Sequence, residues 1–164
     1  MQREFTDIPG PRYVALLELL RTAETLWHAS REFFARWNLS PSQFNILNLL
    51  RVAAEGCTQV DLSRQLIMHR SNVTGLVDRL EARGLLKRTE SPGDRRAHRV
   101  ILTATGRRLV EKILPDYHRA ADTIWGSFPL ARTARLVEDL KRLNLNIGDF
   151  SRSGKKRPRT RPLA

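Results

Sequence analysis

A mainly helical fold with one small β-hairpin is predicted by the sequence, on three observations. Residues 58–103, TQVDLSRQLIMHRSNVTGLVDRLEARGLLKRTESPGDRRAHRVILT, hold two short stretches of helical period separated by a turn and followed by a basic, alternating stretch. Long runs with apolar residues at helical spacing flank them, over about residues 12–37 and 104–147. Lys and Arg outnumber Asp and Glu by 29 to 17, a net charge of +12 with an isoelectric point near 11.2. Helix, turn, helix and basic hairpin, enclosed by long N- and C-terminal helices, make the class a winged helix-turn-helix.

The same composition bounds the function. A chain of 164 residues builds one domain with a real core and has no room for separate catalytic and regulatory domains. So large a positive balance points to a polyanion, with nucleic acid the first candidate and an anionic membrane the second. No apolar run reaches the roughly 18 residues of a membrane span, and the start MQREFTDIPG lacks a signal peptide's apolar core. The expectation is a cytoplasmic protein with no membrane partner. A single cysteine, Cys57, excludes a disulfide framework and any Cys-x-x-Cys metal knuckle.

Along the chain, residues 1–11 carry Pro9-Gly10-Pro11 and read as an N-terminal arm. The helix from about Arg12 to Trp37 is apolar on two faces, Tyr13, Leu16, Leu20, Ala23, Trp27 and Phe34 on one and Leu19, Leu26, Phe33 and Trp37 on the other. A helix apolar on both sides is buried on both sides, and in so small a protein the second side most simply meets another copy of the chain. Ser40-Pro41 reads as an N-cap with Pro at the first helical position, followed by Phe44, Leu47, Leu50 and Ala54 at helical spacing and ended by Gly56. Thr58 caps a short helix, about Gln59 to Leu66, that packs through Val60, Leu62 and Leu66.

In the second helix of the pair Val73, Leu76, Val77 and Leu80 fall within an arc of about 100°, the width of a core-facing stripe. The opposite arc holds Ser71, Asn72, Gly75, Asp78 and Arg79, with Thr74 at its edge. A helix in a DNA major groove needs small hydrogen-bonding groups and a cation there, since base edges and phosphates are what it meets. His69, Arg70 and Ser71 stand at the helix start, where the dipole and basic side chains favour phosphate. Gly84 suits a left-handed C-cap. Lys87-Arg88-Thr89 and Arg99-Val100-Ile101-Leu102 then read as two strands joined by the turn Ser91-Pro92-Gly93-Asp94. Residues 87–99 hold five Lys or Arg against two acids, and a long arginine at such a hairpin tip can enter the narrow minor groove.

After Thr103 a helix starts near Ala104 and carries Leu109, Val110, Ile113, Leu114, Tyr117, Ala121, Ile124 and Trp125; Pro115 should kink or interrupt it. Phe128-Pro129 turns the chain into a last helix, about Leu130 to Asn146, with Leu136, Val137, Leu140 and Leu143 as its stripe. The segment 151–164, SRSGKKRPRTRPLA, has six basic residues, no acid and no periodicity. It reads as a disordered tail, either solubilising or adding sequence-independent phosphate contacts. The organisation is thus arm 1–11, winged-helix domain 12–150 with its DNA-binding lobe over about 40–103, and tail.

The run Ser71, Val73 to Leu76, Asp78 to Leu80, Gly84-Leu85-Leu86, Arg88, Ser91-Pro92-Gly93-Asp94-Arg95-Arg96, Leu102-Thr103 and Gly106 resembles the signature of the MarR family of bacterial transcriptional regulators, and the likeness covers roughly residues 10–147. Ser91 departs from it, standing where an acidic residue is common. The resemblance implies a homodimer built from the N- and C-terminal helices, with Arg96 as the minor-groove arginine and Asp94 holding its guanidinium. It also implies a DNA-binding transcriptional repressor on a pseudo-palindromic operator, released by a small aromatic or anionic effector.

Expected DNA contacts are therefore His69, Arg70, Ser71, Asn72, Thr74, Gly75 and Arg79 from the helix and Arg95 and Arg96 from the wing. Trp27, His28, Arg31, Phe34 and Phe44 either line an effector pocket or make ordinary core and dimer contacts. No catalytic constellation, phosphate loop or metal spacing is present, so neither enzyme activity nor a cofactor is expected. Cys57, in the loop between the second and third helices, reads as a small buried apolar residue. The alternative function is a sequence-independent architectural DNA-binding protein.

Overall fold

Helix α1 spans Pro11–Ala35 and so begins at Pro11, one residue earlier than the Pro9-Gly10-Pro11 spacing predicts. A proline in the first helical position has no N–H to leave unsatisfied. The computed structural model describes residues 10–53, 55–66, 73–91 and 94–154, and of residues 91, 94–97 and 154 the backbone alone. The turn after α1 closes on Asn38 at φ 52, with Leu39 N–H on the Phe34 carbonyl at 3.2 Å and Asn38 N–H on that of Ala35 at 2.9 Å. That left-handed close satisfies carbonyls the helix would otherwise leave open.

Helix α2, Pro41–Val52, begins with a capping box: the Ser40 hydroxyl accepts from Gln43 N–H while the Gln43 side chain accepts from Ser40 N–H. Its predicted stripe is buried at Phe44, Leu47 and Leu50, and Ile46 is buried with them. Ala54 lies outside the described residues. Strand β1, Cys57–Thr58, precedes helix α3, Gln59–Gln65, whose cap Thr58 accepts from Asp61 N–H at 3.1 Å. In α3 Leu62 is buried and Leu66 follows it inward, but Val60, expected to pack, is 57% exposed. A helix this short presents little more than one residue per turn to the core, and Leu62 takes that place.

Helix α4 is Val73–Ala82, and Gly84 at φ 65 closes it as predicted. Strands β2, Leu86–Ser91, and β3, Asp94–Leu102, form the hairpin, and with β1 they make an antiparallel sheet ordered β1-β3-β2. Helix α5, Ala104–Trp125, runs through Pro115, so of the kink or interruption expected there the interruption does not occur. Proline there removes only the bond to the Glu111 carbonyl, one among those of a 22-residue helix. Helix α6 extends from Leu130 to Gly154, so Ser151–Gly154 are helical where an aperiodic tail is expected; the rest of the tail lies outside the described residues.

Two compact units divide the chain, residues 1–115 and 116–164. The first contains the hydrophobic core, from Phe34 through Leu62, Val73, Val77, Leu80 and Val100 to Val110 and Ile113. In the second, Trp125 and Phe128 meet with ring centroids 5.6 Å apart, and the Arg132 guanidinium lies 5.2 Å from the Phe128 ring centroid. The α6 stripe, including Leu136, Leu140, Leu143, Ile147 and Phe150, is exposed.

Candidate nucleic-acid interface

Helix α4 is amphipathic, and its two faces are separated as the periodicity requires. Val73, Val77 and Leu80 are buried and Leu76 packs half-buried against the same core. Thr74, Asp78 and Arg79 are exposed, and Gly75 is half-buried. The Thr74 hydroxyl donates to Gln59 Oε1 at 3.1 Å, fastening α4 to α3. Arg79 makes no ion pair among the described residues. His69, Arg70, Ser71 and Asn72 lie outside them.

Asp78 has a partner that the helix periodicity does not reveal. Arg88, on β2, donates one guanidinium nitrogen to Asp78 at 2.5 Å and the other to Glu81, while its backbone N–H donates to Glu81 Oε1 at 2.8 Å. The bond to Asp78 raises the Arg88 pKa, with the two carboxylates' charges adding to it. One side chain thus ties the hairpin to α4 and pairs with two acids on that helix. The signal in the sequence is an acid on the face of a helix expected to meet a polyanion.

The start of α5 closes on the end of α4. Thr103 N–H donates to the Leu85 carbonyl at 3.2 Å and its hydroxyl to the Gly84 carbonyl at 2.7 Å, while that hydroxyl accepts from Gly106 N–H at 3.0 Å. The Leu-Thr-x-x-Gly segment therefore caps one helix and pins it to the turn after another.

In the hairpin, Glu90 pairs with His98 and the next residue, Ser91, pairs with Asp94. Residues 95–97 of β3 thus have no partner in β2, an irregularity of the bulge kind that shapes hairpin tips. It contains Arg95 and Arg96, whose side chains, like that of Asp94, are outside the described ones. Arg99, counted among the hairpin's cations, is drawn inward: it pairs with Thr58 and Thr89 across the sheet and donates to the Gly56 carbonyl at 3.1 Å.

Cys57 is in β1, paired with Val100, rather than in a loop. A two-residue strand leaves no alternation to read. Its thiol is buried as expected, and burial pushes its pKa up, helped by the Asp61 charge and opposed by Arg99. A raised pKa depletes the thiolate, so alkylation of the folded protein at pH 8 is expected to run at least about tenfold slower than after unfolding in urea. Equal rates would place the thiol at the surface.

The ring faces of Phe34 and Phe44 stack on each other at 4.4 Å inside the core, where both residues are buried. That is the core-contact alternative for these two. Trp27 is half-buried, and His28 and Arg31 stand exposed on α1. Among the described residues no group of three His, Cys, Asp or Glu could hold a metal, and no helix is long and apolar enough to cross a membrane.

A buried-footed helix with a polar outer face, crossed by a supporting helix and braced to a basic hairpin, defines a winged helix-turn-helix DNA-binding module. The model of the MarR family matches residues 37–97. The transcriptional regulator PrsX of Escherichia coli is 31% identical over 119 residues, 72% of each chain. Among solved structures, Bordetella bronchiseptica BpsR, described in terms of regulation of its DNA binding by 6-hydroxynicotinic acid, superposes with a TM-score of 0.69 at 28% identity, over 88% of this chain and 98% of BpsR. The repressor CouR bound to a 23-mer DNA duplex gives 0.68 at 30% identity, over 77% of this chain and 89% of CouR. The chain belongs to the MarR family of transcriptional regulators.

Proposed function

We propose that this protein is a homodimeric transcriptional repressor that binds a pseudo-palindromic operator with its two α4 helices in successive major grooves. The observation that carries the reading is α4 itself, with its apolar face seated in the core, its outer face presenting Thr74 and Arg79, and Arg88 bracing it to the hairpin. His69, Arg70, Ser71, Asn72, Thr74, Gly75 and Arg79 serve the groove and its phosphates, and Arg95 and Arg96 serve from the wing, with Arg96 entering the minor groove and Asp94 orienting it. CouR's capture on duplex DNA supports the partner. Half-site centres then lie about 34–36 Å apart.

The homodimer is supported by exposed apolar seams. On α6 Leu136, Leu140, Leu143, Ile147 and Phe150 recur at alternating intervals of four and three residues, and on α1 Tyr13, Leu16 and Leu20 are exposed. Such a four-three repeat is the pattern of helices that pair lengthwise. Release by a small aromatic or anionic effector completes the proposal, supported by BpsR with 6-hydroxynicotinic acid and CouR bound to p-coumaroyl-CoA. Its protein stays in the cytoplasm and catalyses no reaction.

Selection from a random duplex library at near-physiological salt tests the operator reading, and a two-fold symmetric motif is the expected result. Arg96→Ala is expected to weaken binding to that motif by about 1–3 kcal/mol while the dimer stays intact; unchanged affinity removes the hairpin from the interface. The net charge of +12, half of it from residues 151–164, favours a second reading as a sequence-independent architectural binder. Tight binding without motif enrichment, lost on truncation after Gly154, would establish that reading instead.

A further inference from the structure

Three consecutive residues, Arg83-Gly84-Leu85, touch the ends of three helices. Gly84 N–H donates to the Glu81 carbonyl at 2.8 Å and Leu85 N–H to that of Leu80 at 3.0 Å, which closes α4. The carbonyls of Gly84 and Leu85 accept from Thr103, which starts α5. Arg83 reaches the other way: its guanidinium donates to the Asn38 carbonyl at 2.5 Å and to the Trp37 carbonyl at 3.3 Å, at the end of α1.

Those two carbonyls sit in the last, left-handed turn of α1, where the dipole and unpaired oxygens favour a cation. The same turn is held from its other side, since Phe34 is in the core and Arg36 stacks 4.7 Å from the Phe33 and Trp37 ring centroids. Neither end of the Arg83 bridge is loose. Among the described residues Arg83 makes no ion pair, and both guanidinium bonds go to backbone carbonyls in the turn that closes α1.

We infer that Arg83 is a positioning residue that sets the half-site spacing the protein accepts. The inference rests on the homodimeric reading above, in which α1 belongs to the pairing surface and α4 enters the groove. With Arg83 in place, the end of α1 and the end of α4 are linked through one planar, two-pronged donor. Without it α4 is still capped and still seated by Val77 and Leu80 in the core that Phe34 shares, but it loses a direct tie to the end of α1, and its angle to α1 is held less firmly. One added base pair displaces a half-site by about 3.4 Å and rotates it by roughly a tenth of a turn, so a rigid α1–α4 angle is what makes spacing selective.

The test uses the full chain as wild type, Arg83→Ala and Arg83→Lys, each titrated at fixed salt on the selected duplex and on duplexes with one base pair inserted or removed at the centre. Dimer content and thermal melting are measured in parallel. Arg83→Ala is expected to bind the best duplex about tenfold more weakly, and its penalty for a shifted centre is expected to shrink at least about threefold relative to wild type. Arg83→Lys, which keeps one charged donor, should fall between them. A purely structural residue lowers melting temperature and affinity on all three duplexes alike; an unchanged spacing penalty in Arg83→Ala or Arg83→Lys therefore overturns the inference. If wild type itself shows no spacing preference, the homodimeric operator reading has failed and the inference falls with it.

Discussion

Gly106→Ala is expected to destabilise the fold by about 3 kcal/mol or more. A Cβ at Gly106 would lie 1.9 Å from the Leu85 carbonyl oxygen, 2.9 Å from its carbon and 2.9 Å from Leu102 Cδ1. Leu102 Cδ1 can rotate away, but the two Leu85 backbone atoms cannot step aside cheaply. Leu85 is buried, and its carbonyl accepts from Thr103 N–H, the residue whose hydroxyl caps α5 and bonds Gly84. Backing α5 away to admit a methyl group breaks that set of bonds together. For a chain of this size the loss corresponds to a melting temperature lowered by roughly 6–12 °C. Gly84→Ala supplies the contrast: its Cβ meets nothing within 4 Å, so only the left-handed φ of 65° is penalised, at about 1–2 kcal/mol. If Gly106→Ala melts within about 2 °C of wild type, α5 does not close on the turn as described.

That glycine shows what the sequence can and cannot express. The Leu-Thr-x-x-Gly spacing marks a helix start, and Ser40-Pro41, Thr58, Gly84 and the periodic stripes of α2 and α4 each signal their element through local chemistry. Those elements form where the spacing predicts. What periodicity misses is non-local. Strand β1 exists only because β3 pairs with it, Arg88 reads as one more basic residue until Asp78 and Glu81 are brought beside it, and Arg99 is drawn to the Gly56 carbonyl by a strand register that no single stretch encodes. Val60 errs in the opposite direction, since local periodicity assigns it a packing role that Leu62 fills. Phe34 and Phe44 have the ring faces a ligand pocket needs, yet two rings stacked within a core have the same composition. The polar outer face of α4 was legible in its periodicity, and the Arg88 brace that ties that helix to the hairpin was not.

Arg88→Ala should weaken operator binding at least about tenfold and lower stability by about 1–3 kcal/mol. The stability part comes mainly from Glu81. The Arg88 and Glu81 side chains are 26% and 34% exposed, against 55% for Asp78, so solvent screens the Asp78 bond more strongly. Losing the guanidinium removes its bonds to both carboxylates, although the Arg88 backbone bond to Glu81 can persist. The affinity part is electrostatic and geometric. Two uncompensated carboxylates then stand on the helix proposed to meet phosphate, and the hairpin is no longer braced to that helix. These effects separate from direct phosphate contact by Arg88. A lost phosphate contact lowers the magnitude of the salt slope by about one unit and cannot be repaired from α4. A lost brace is repaired in part when the acids go too, so Arg88→Met combined with Asp78→Asn and Glu81→Gln should recover most of the affinity on the selected duplex. Failure of the triple variant to recover, alongside a slope reduced by one, would make Arg88 a DNA contact and leave α4 oriented by Thr74 and its core face alone.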